Sequence, residues 1–175
     1  KKKVFSLLTN INPNVVINTA AYHRVDEIED NPKSAFTVNT IAQQNLAQFC
    51  NANNSTLVFF SSDYVFGVEK NRIKPYLETD IVGPVNTYGI SKVAGELMVK
   101  SYCSKYFIIR TAGLFGFAGP SGKGENFVEL MIRLAKSGND LHVVNDQMMS
   151  PTYTMNLAEN VFNLLLTKEY GTYHM

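Results

Sequence analysis

A chain of 175 residues with 45% apolar positions can fill one core of ordinary domain size and is too short for two independent ones. Its 16 basic and 15 acidic residues sum to +1 and are scattered apart from the opening Lys1-Lys2-Lys3, so no basic stripe marks a nucleic-acid partner. The longest apolar runs, Leu57-Val58-Phe59-Phe60 and Leu164-Leu165-Leu166, fall far short of the roughly 18 residues of a membrane span, which excludes a membrane partner. Residues 1 to 10 lack the apolar block of a signal peptide, and the only cysteines, Cys50 and Cys103, suit packing in a reducing compartment. A cytoplasmic protein follows by default.

Val4, Leu7, Leu8 and Ile11 recur at helical spacing over residues 2 to 11, and Asn12-Pro13-Asn14 ends that helix before a buried strand, Val15-Val16-Ile17. Pro32 suits a first helical position, and the spacing predicts one helix to about Asn51 with Ala35, Val38, Ala42, Leu46 and Phe49 inward. The strand Thr56 to Phe60 comes next. A polar loop then leads to a helix over residues 87 to 102 and the strand Phe107-Ile108-Ile109-Arg110. A Gly-rich loop over 113 to 124, expected to cover a site mouth, precedes a helix over 126 to 137 capped by Gly138 and a strand Leu141-His142-Val143-Val144. A helix over 156 to 167 and a strand from Gly171 complete the pattern. Strands apolar throughout, joined by helices, predict an α/β fold with a doubly wound parallel sheet, whose ligands sit beyond the carboxyl ends of the strands.

Chemistry-bearing residues fall at that rim. Ser62 stands just past the second strand, and Tyr88 and Lys92, four apart, share a face of the helix that follows. A phenol ordinarily titrates near pH 10, and an ammonium one turn away favours its ionised form, so Lys92 is expected to lower the Tyr88 pKa toward the working range of a general acid. The three together suit hydride transfer at a carbon whose oxygen gains or loses a proton.

Longer strings carry a resemblance. Phe60-Ser61-Ser62-Asp63-Tyr64-Val65-Phe66, Pro75-Tyr76-x-Glu78-x-Asp80, Tyr88-Gly89-Ile90-Ser91-Lys92-x-Ala94-Gly95-Glu96 and Asp146-Gln147-x-x-Ser150-Pro151-Thr152 resemble the dTDP-4-dehydrorhamnose reductases, which are extended short-chain dehydrogenase/reductases. The similarity also takes in Asn18-Thr19-Ala20-Ala21-Tyr22, Val25-Asp26, Val38-Asn39, Arg110-Thr111 and Asn126-Phe127, nearly the whole chain. It implies a Rossmann-like fold, with residues 1 to 112 a partial dinucleotide-binding domain and 113 to 175 a loop and partial substrate-binding portion. It implies a catalytic triad of Ser62, Tyr88 and Lys92. Ala20, Ala21, Tyr22, Asn39, Ser61, Tyr88 and Lys92 would line NADP or NAD, and Ser62, Asp63, Gly113 and Asn126 would face a nucleotide-sugar substrate, with a homodimer possible. Tyr88 would protonate the C4 oxygen of a 4-keto sugar nucleotide while a nicotinamide delivers hydride.

Two positions depart from the family. Gly113 stands where an aromatic residue is expected, and Met149 replaces a small one. No Gly-x-x-Gly-x-x-Gly or Gly-x-Gly-x-x-Gly fingerprint occurs, so the chain reads as an internal piece whose Val15-Val16-Ile17 strand lies at an apolar edge. Residues 116 to 124 lack the spacing of a phosphate-binding P-loop, Ser62 lacks a hydrolase elbow, and His23, His142 and His174 are too dispersed for a metal. Asp26, Glu27, Glu29 and Asp30 read as a solvated acidic loop. Two other functions fit the same strings: a regulatory subunit like the beta subunit of methionine adenosyltransferase, which Gly113 favours, and a sugar-nucleotide epimerase or dehydratase. Without the Gly-rich turn, this chain by itself is expected to bind NADPH more weakly than micromolar, which a fluorescence titration measures.

Overall fold

The computed structural model describes residues 2–117, 125–138 and 140–175. Among them the β-branched and aromatic runs form strands: β1 (Val15–Asn18), β2 (Thr56–Ser62), β3 (Tyr106–Thr111) and, at the end of the chain, β6 (Gly171–His174). These four make one sheet in the order β1-β2-β3-β6. The β1–β2 and β3–β6 pairs are parallel, with Val16 opposite Leu57 and Ile108 opposite Thr172. Leu57, Val58 and Phe59 in β2 and Phe107, Ile108 and Ile109 in β3 are all buried, the mark of central strands covered on both faces. β1 is an edge, and its Val15 and Ile17 are exposed, in line with the expected apolar edge.

Helices α1 (Lys2–Ile11), α2 (Val25–Asp30), α3 (Pro32–Phe36), α4 (Ala42–Ala52) and α5 (Thr87–Tyr102) accompany the sheet. The core joins Ala47, Phe49 and Cys50 of α4 with Leu57 and Phe59 of β2, Val99 of α5, Cys103 and Ile108. α1 meets it through Phe5, stacked 5.8 Å from Phe49, and Leu8. Of the four apolar residues at helical spacing in α1, Leu8 packs on this core, and Val4, Leu7 and Ile11 are exposed.

The helix expected over 32 to 51 is interrupted. A π-helical turn, Thr37–Ile41, separates α3 from α4, and α2 precedes them within the stretch read as an acidic loop. The wider turn changes which side chains face inward. Asn39, Thr40 and Gln43 are buried, whereas Val38, Ala42 and Leu46 are only partly so.

Two compact units divide the chain rather than one: Lys1–Arg110 with Glu169–His174, and Thr111–Lys168 with Met175. The second holds α6 (Phe127–Lys136), α7 (Thr154–Thr167) and a short parallel pair, β4 (Leu114–Phe115) with β5 (Thr152–Tyr153). The strand expected at 141–144 is absent; Leu141, Val143 and Val144 are exposed and pair with no sheet among the described residues. Residues 118–124, most of the Gly-rich loop expected to cover a site, lie outside the described residues. Among the described residues no helix is long and apolar enough to cross a membrane.

Three elements of the first unit are joined by one buried ion pair. Glu96 of α5, 2% exposed, accepts from Arg110 Nε at 2.9 Å and Nη2 at 2.7 Å, and from the Ser61 hydroxyl of β2 at 2.6 Å. Such a pair contributes little net stability when whole but is costly to break, because the surviving charge is left desolvated. Replacing Glu96 alone by Leu is expected to cost about 3–5 kcal/mol in urea unfolding, and adding Arg110→Met is expected to recover part of that loss.

Candidate active site

The carboxyl end of β2 turns sharply into a 3₁₀ turn, Asp63–Val65. Ser62 caps that turn: its Oγ accepts from the Tyr64 amide at 3.2 Å and donates to Asp63 Oδ1 at 2.9 Å. The cap holds the Ser62 hydroxyl at the rim of the sheet.

Helix α5 starts beside it. The Asn86 side chain accepts from the Gly89 amide at 2.8 Å, an N-cap that fixes the first turn and with it Tyr88. Glu29 of α2 reinforces that start, accepting from the Thr87 amide at 2.8 Å and the Thr87 hydroxyl at 2.6 Å. Those bonds hold the Glu29 carboxyl below its ordinary pKa, so this exposed member of the acidic stretch also serves as a second cap. Gly89 is a necessity of packing, because a Cβ there would collide with the Tyr64 carbonyl. Gly95 is similar, facing the Asn39 carbonyl and the Phe59 ring.

The Tyr88 phenol lies within the influence of the Ser62 side chain. The Tyr64 ring meets Tyr88 edge-on at 5.5 Å. Burial pushes the phenol up to about 12; the Ser62 side chain works against that rise, and the nearby Asp63 and Tyr64 add to it. Lys92 is absent from those influences. Its Nζ donates to the Phe60 carbonyl at 2.5 Å and lies 4.4 Å from the Phe59 ring centroid, turned toward β2. The expected lowering of the Tyr88 pKa by Lys92 is therefore overturned, because desolvation outweighs the helical spacing. The group that moves down is Lys92, lowered to about 8 by burial, with Glu96 one turn on opposing the fall. At neutral pH the site thus holds a protonated phenol against a hydroxyl, the form required of a proton donor. Among the described residues Lys92 has the single acceptor Phe60, so a buried ammonium keeps hydrogens to offer.

The loop after β1 is held by polar side chains of the helices below it. Asn18 Nδ2 donates to Gln43 Oε1 at 2.9 Å, and Asn18 Oδ1 accepts from the Ala20 amide at 3.1 Å. Asn39 grips Tyr22 from both sides, accepting from its amide and donating to its carbonyl, each at 2.9 Å. Asn39, expected to line a dinucleotide, is 0% exposed and donates both its amide hydrogens within the protein. Ser61 likewise spends its hydroxyl on Glu96. Ala20 is exposed, and Ala21 and Tyr22 are partly so.

Beyond Glu96, Arg110 reaches the Pro75-Tyr76-x-Glu78 segment. Its Nη1 lies 3.4 Å from His174 Nε2, His174 Nδ1 lies 3.0 Å from the Tyr76 carbonyl, and the His174 amide donates to Glu78 Oε1 at 3.0 Å. A carbonyl can only accept, so Nδ1 carries a hydrogen, and Nε2 faces the guanidinium. Phe66 stacks on Tyr76 at 4.0 Å under the same cation.

The remaining expected substrate residues belong to the second unit. Gly113 has φ +49, and a Cβ there would lie 3.3 Å from Pro151 Cα, so the aromatic residue of the family pattern would be strained in this backbone. Asn126 caps α6 in a capping box with Glu129 and donates to the Gly116 carbonyl at 3.0 Å, which occupies its side chain.

The sequence model of the RmlD substrate binding domain matches residues 1–175. The chain belongs to that family. It is 39% identical over 180 residues to the dTDP-4-dehydrorhamnose reductase of Aggregatibacter actinomycetemcomitans, covering 99% of this chain and 59% of that protein. With the enzyme of that name from Mycolicibacterium smegmatis it shares 44% over 147 residues, 84% of this chain and 43% of the other. The Bacillus anthracis dTDP-4-dehydrorhamnose reductase crystallised with NADP superposes with a TM-score of 0.91 at 40% identity, over 99% of this chain and 59% of that one. The RmlD-family chain therefore has the Rossmann-like α/β fold expected of it and spans 43–59% of the length of these relatives.

Folding lowers the Lys92 pKa from 10.5 to about 8, so between those values the unfolded chain binds the extra proton and this group makes stability rise with pH. Lys92→Met removes that rise. The gap in unfolding free energy between wild type and Lys92→Met is expected to move in favour of wild type from pH 7 to pH 10.5, by on the order of 3 kcal/mol in urea titrations.

Proposed function

We propose that this chain carries the proton-donating part of an NAD(P)H-dependent reductase that converts the C4 keto group of a nucleotide-linked deoxysugar, of the dTDP-4-dehydro-rhamnose type, to an alcohol. The observation that carries this reading is the Tyr88 phenol, kept protonated by burial and placed within the influence of Ser62 at the rim of the parallel sheet. The names of the relatives, and the NADP in the Bacillus anthracis structure, support the substrate class and the cofactor.

In this mechanism the sugar's C4 oxygen accepts from the Tyr88 hydroxyl and, once Ser62 turns its one hydrogen away from Asp63, from the Ser62 hydroxyl as well. A bound nicotinamide supplies the hydride. Tyr88 gives its proton to the oxygen as negative charge develops there, and Asp63, which accepts from Ser62 before substrate binds, holds that hydroxyl at the rim until then. Lys92 offers its spare hydrogens to the ribose hydroxyls of the dinucleotide, and its charge stabilises the phenolate left behind. The donor set fits the group: a buried ammonium keeps hydrogens to spare at the end of β2, and the loop after β1 offers the small residues Ala20, exposed, and Ala21, partly so.

In the full-length protein, NADPH is expected to be consumed with dTDP-4-dehydro-rhamnose, and Tyr88→Phe is expected to lower kcat at least about 100-fold with NADPH still bound. Unchanged turnover in that variant removes Tyr88 from the mechanism. Interconversion of sugars with no net cofactor oxidation overturns the reductase reading.

A further inference from the structure

The Ser62 hydroxyl has one hydrogen and two uses for it. In the structure that hydrogen goes to Asp63 Oδ1 at 2.9 Å, while the Tyr64 amide occupies a lone pair at 3.2 Å. The reduction needs the same hydrogen on the C4 oxygen. An ionised Asp63 can only accept and loses its contact when Ser62 turns, whereas a protonated Asp63 can donate and keeps the contact with its direction reversed. Asp63 is half-buried, and burial pushes its carboxyl above the ordinary value, against the hydrogen bonds from Ser62 and the backbone that draw it down. Its charge also bears on both phenols beside it, Tyr88 and Tyr64, and Asp26 of α2 acts on Tyr64 as well. The ionisable groups of α5 one and two turns beyond Tyr88 face elsewhere. Lys92 Nζ is turned onto the Phe60 carbonyl, and Glu96 is held by Ser61 and Arg110.

We propose that Asp63 and Ser62 form a proton relay that reloads Tyr88 from solvent after each reduction. The proposal rests on the reading of Tyr88 as the proton donor. Once Tyr88 has protonated the sugar oxygen, the like charge of the phenolate favours protonation of Asp63, which takes one proton from water through the part of its surface that stays exposed. The Asp63 O–H bond then breaks as Ser62 Oγ takes that proton, and the Ser62 O–H bond breaks as the phenolate oxygen takes the proton Ser62 held before. Ser62 ends as it began, Asp63 ends as a carboxylate, and one solvent proton has entered for each hydride delivered. No electrons move in these steps.

The test uses the full-length protein. Asp63→Asn keeps a hydrogen-bond donor for Ser62 but has no proton to pass on. Read first, without ligands, is the carboxyl carbonyl band of Asp63 in infrared pH titrations, assigned by its loss in Asp63→Asn. It is expected to titrate above the ordinary carboxylate range, and further up in Ser62→Ala, which removes a hydrogen bond to the ionised form. With NADPH and dTDP-4-dehydro-rhamnose, Asp63→Asn is expected to lower the steady-state kcat at least about 10-fold and the first turnover less than about 3-fold, so that a burst of NADPH oxidation appears. The slowed steady state is expected to show a solvent deuterium isotope effect of about 2 or more and to be restored by added formic acid buffer. Equal slowing of first and later turnovers overturns the proposal by reducing Asp63 to a holder of Ser62, and so does an unaltered kcat. Titration of Asp63 in or below the ordinary range overturns it whether or not the protein turns over a sugar nucleotide. A band that titrates high and responds to Ser62→Ala, in a wild type that oxidises no NADPH, upholds the Asp63–Ser62 coupling and overturns the reductase reading instead.

Discussion

A carboxylate that is almost completely buried must be fully hydrogen-bonded or it will not stay charged, and Glu96 meets that condition with three donors from two strands. The bond from Ser61 ties it to the end of β2, one residue before Ser62. The two-pronged contact with Arg110 ties it to β3, and through His174 to the end of β6 and the Tyr76–Glu78 segment. Since Glu96 lies one turn beyond Lys92, the same network sets where α5 sits against β2. The rim of the sheet is thus built around one paired charge, and the groups with chemistry are carried on elements that this charge holds in register.

Burial has opposite effects on the two ionisable members of the site. It keeps the Tyr88 phenol neutral, with a proton to give, and it weakens the hold of Lys92 on its own proton. Helical spacing alone suggests that the ammonium sharpens the phenol, but Lys92 is turned onto the Phe60 carbonyl and that influence is missing here. A ligand that engages both groups would change their surroundings, which is how a site can rest in one protonation state and react through another.

Much of this was legible in the residues. Uniformly apolar runs located β2 and β3, and the helical pattern over 87 to 102 coincides with α5, because both signals come from burial. The short pair β4 and β5 left no trace, since two residues are too few for a period, and Leu141 to Val144 looked like a strand but has no partner. Within the site, Ser62, Tyr88 and Lys92 stood out by residue type and position. Glu96, four residues after Lys92, could have been found from the same spacing rule. Asn39, Thr40 and Gln43 could not, because a hydrophobic period counts buried polar side chains as solvent-facing, and nothing in local composition announced the π-helical turn that aims them.

That turn makes the chain from Pro32 to Ala52 sensitive to length as well as to chemistry. A π turn holds one residue more than the α-helix around it, so deleting any residue in Thr37–Ile41 would let the backbone relax into a continuous α-helix. The α-helical segments on either side would then keep their faces, because the wide turn takes up the extra residue, and the side chains within the turn would be re-aimed. Hydrophobic packing in α4 could survive such a change untouched, while the Asn39 amide, which donates to Ser91 of α5, would face elsewhere. Insertions and deletions are usually assigned to loops; in this protein a helix interior is where the count of residues matters.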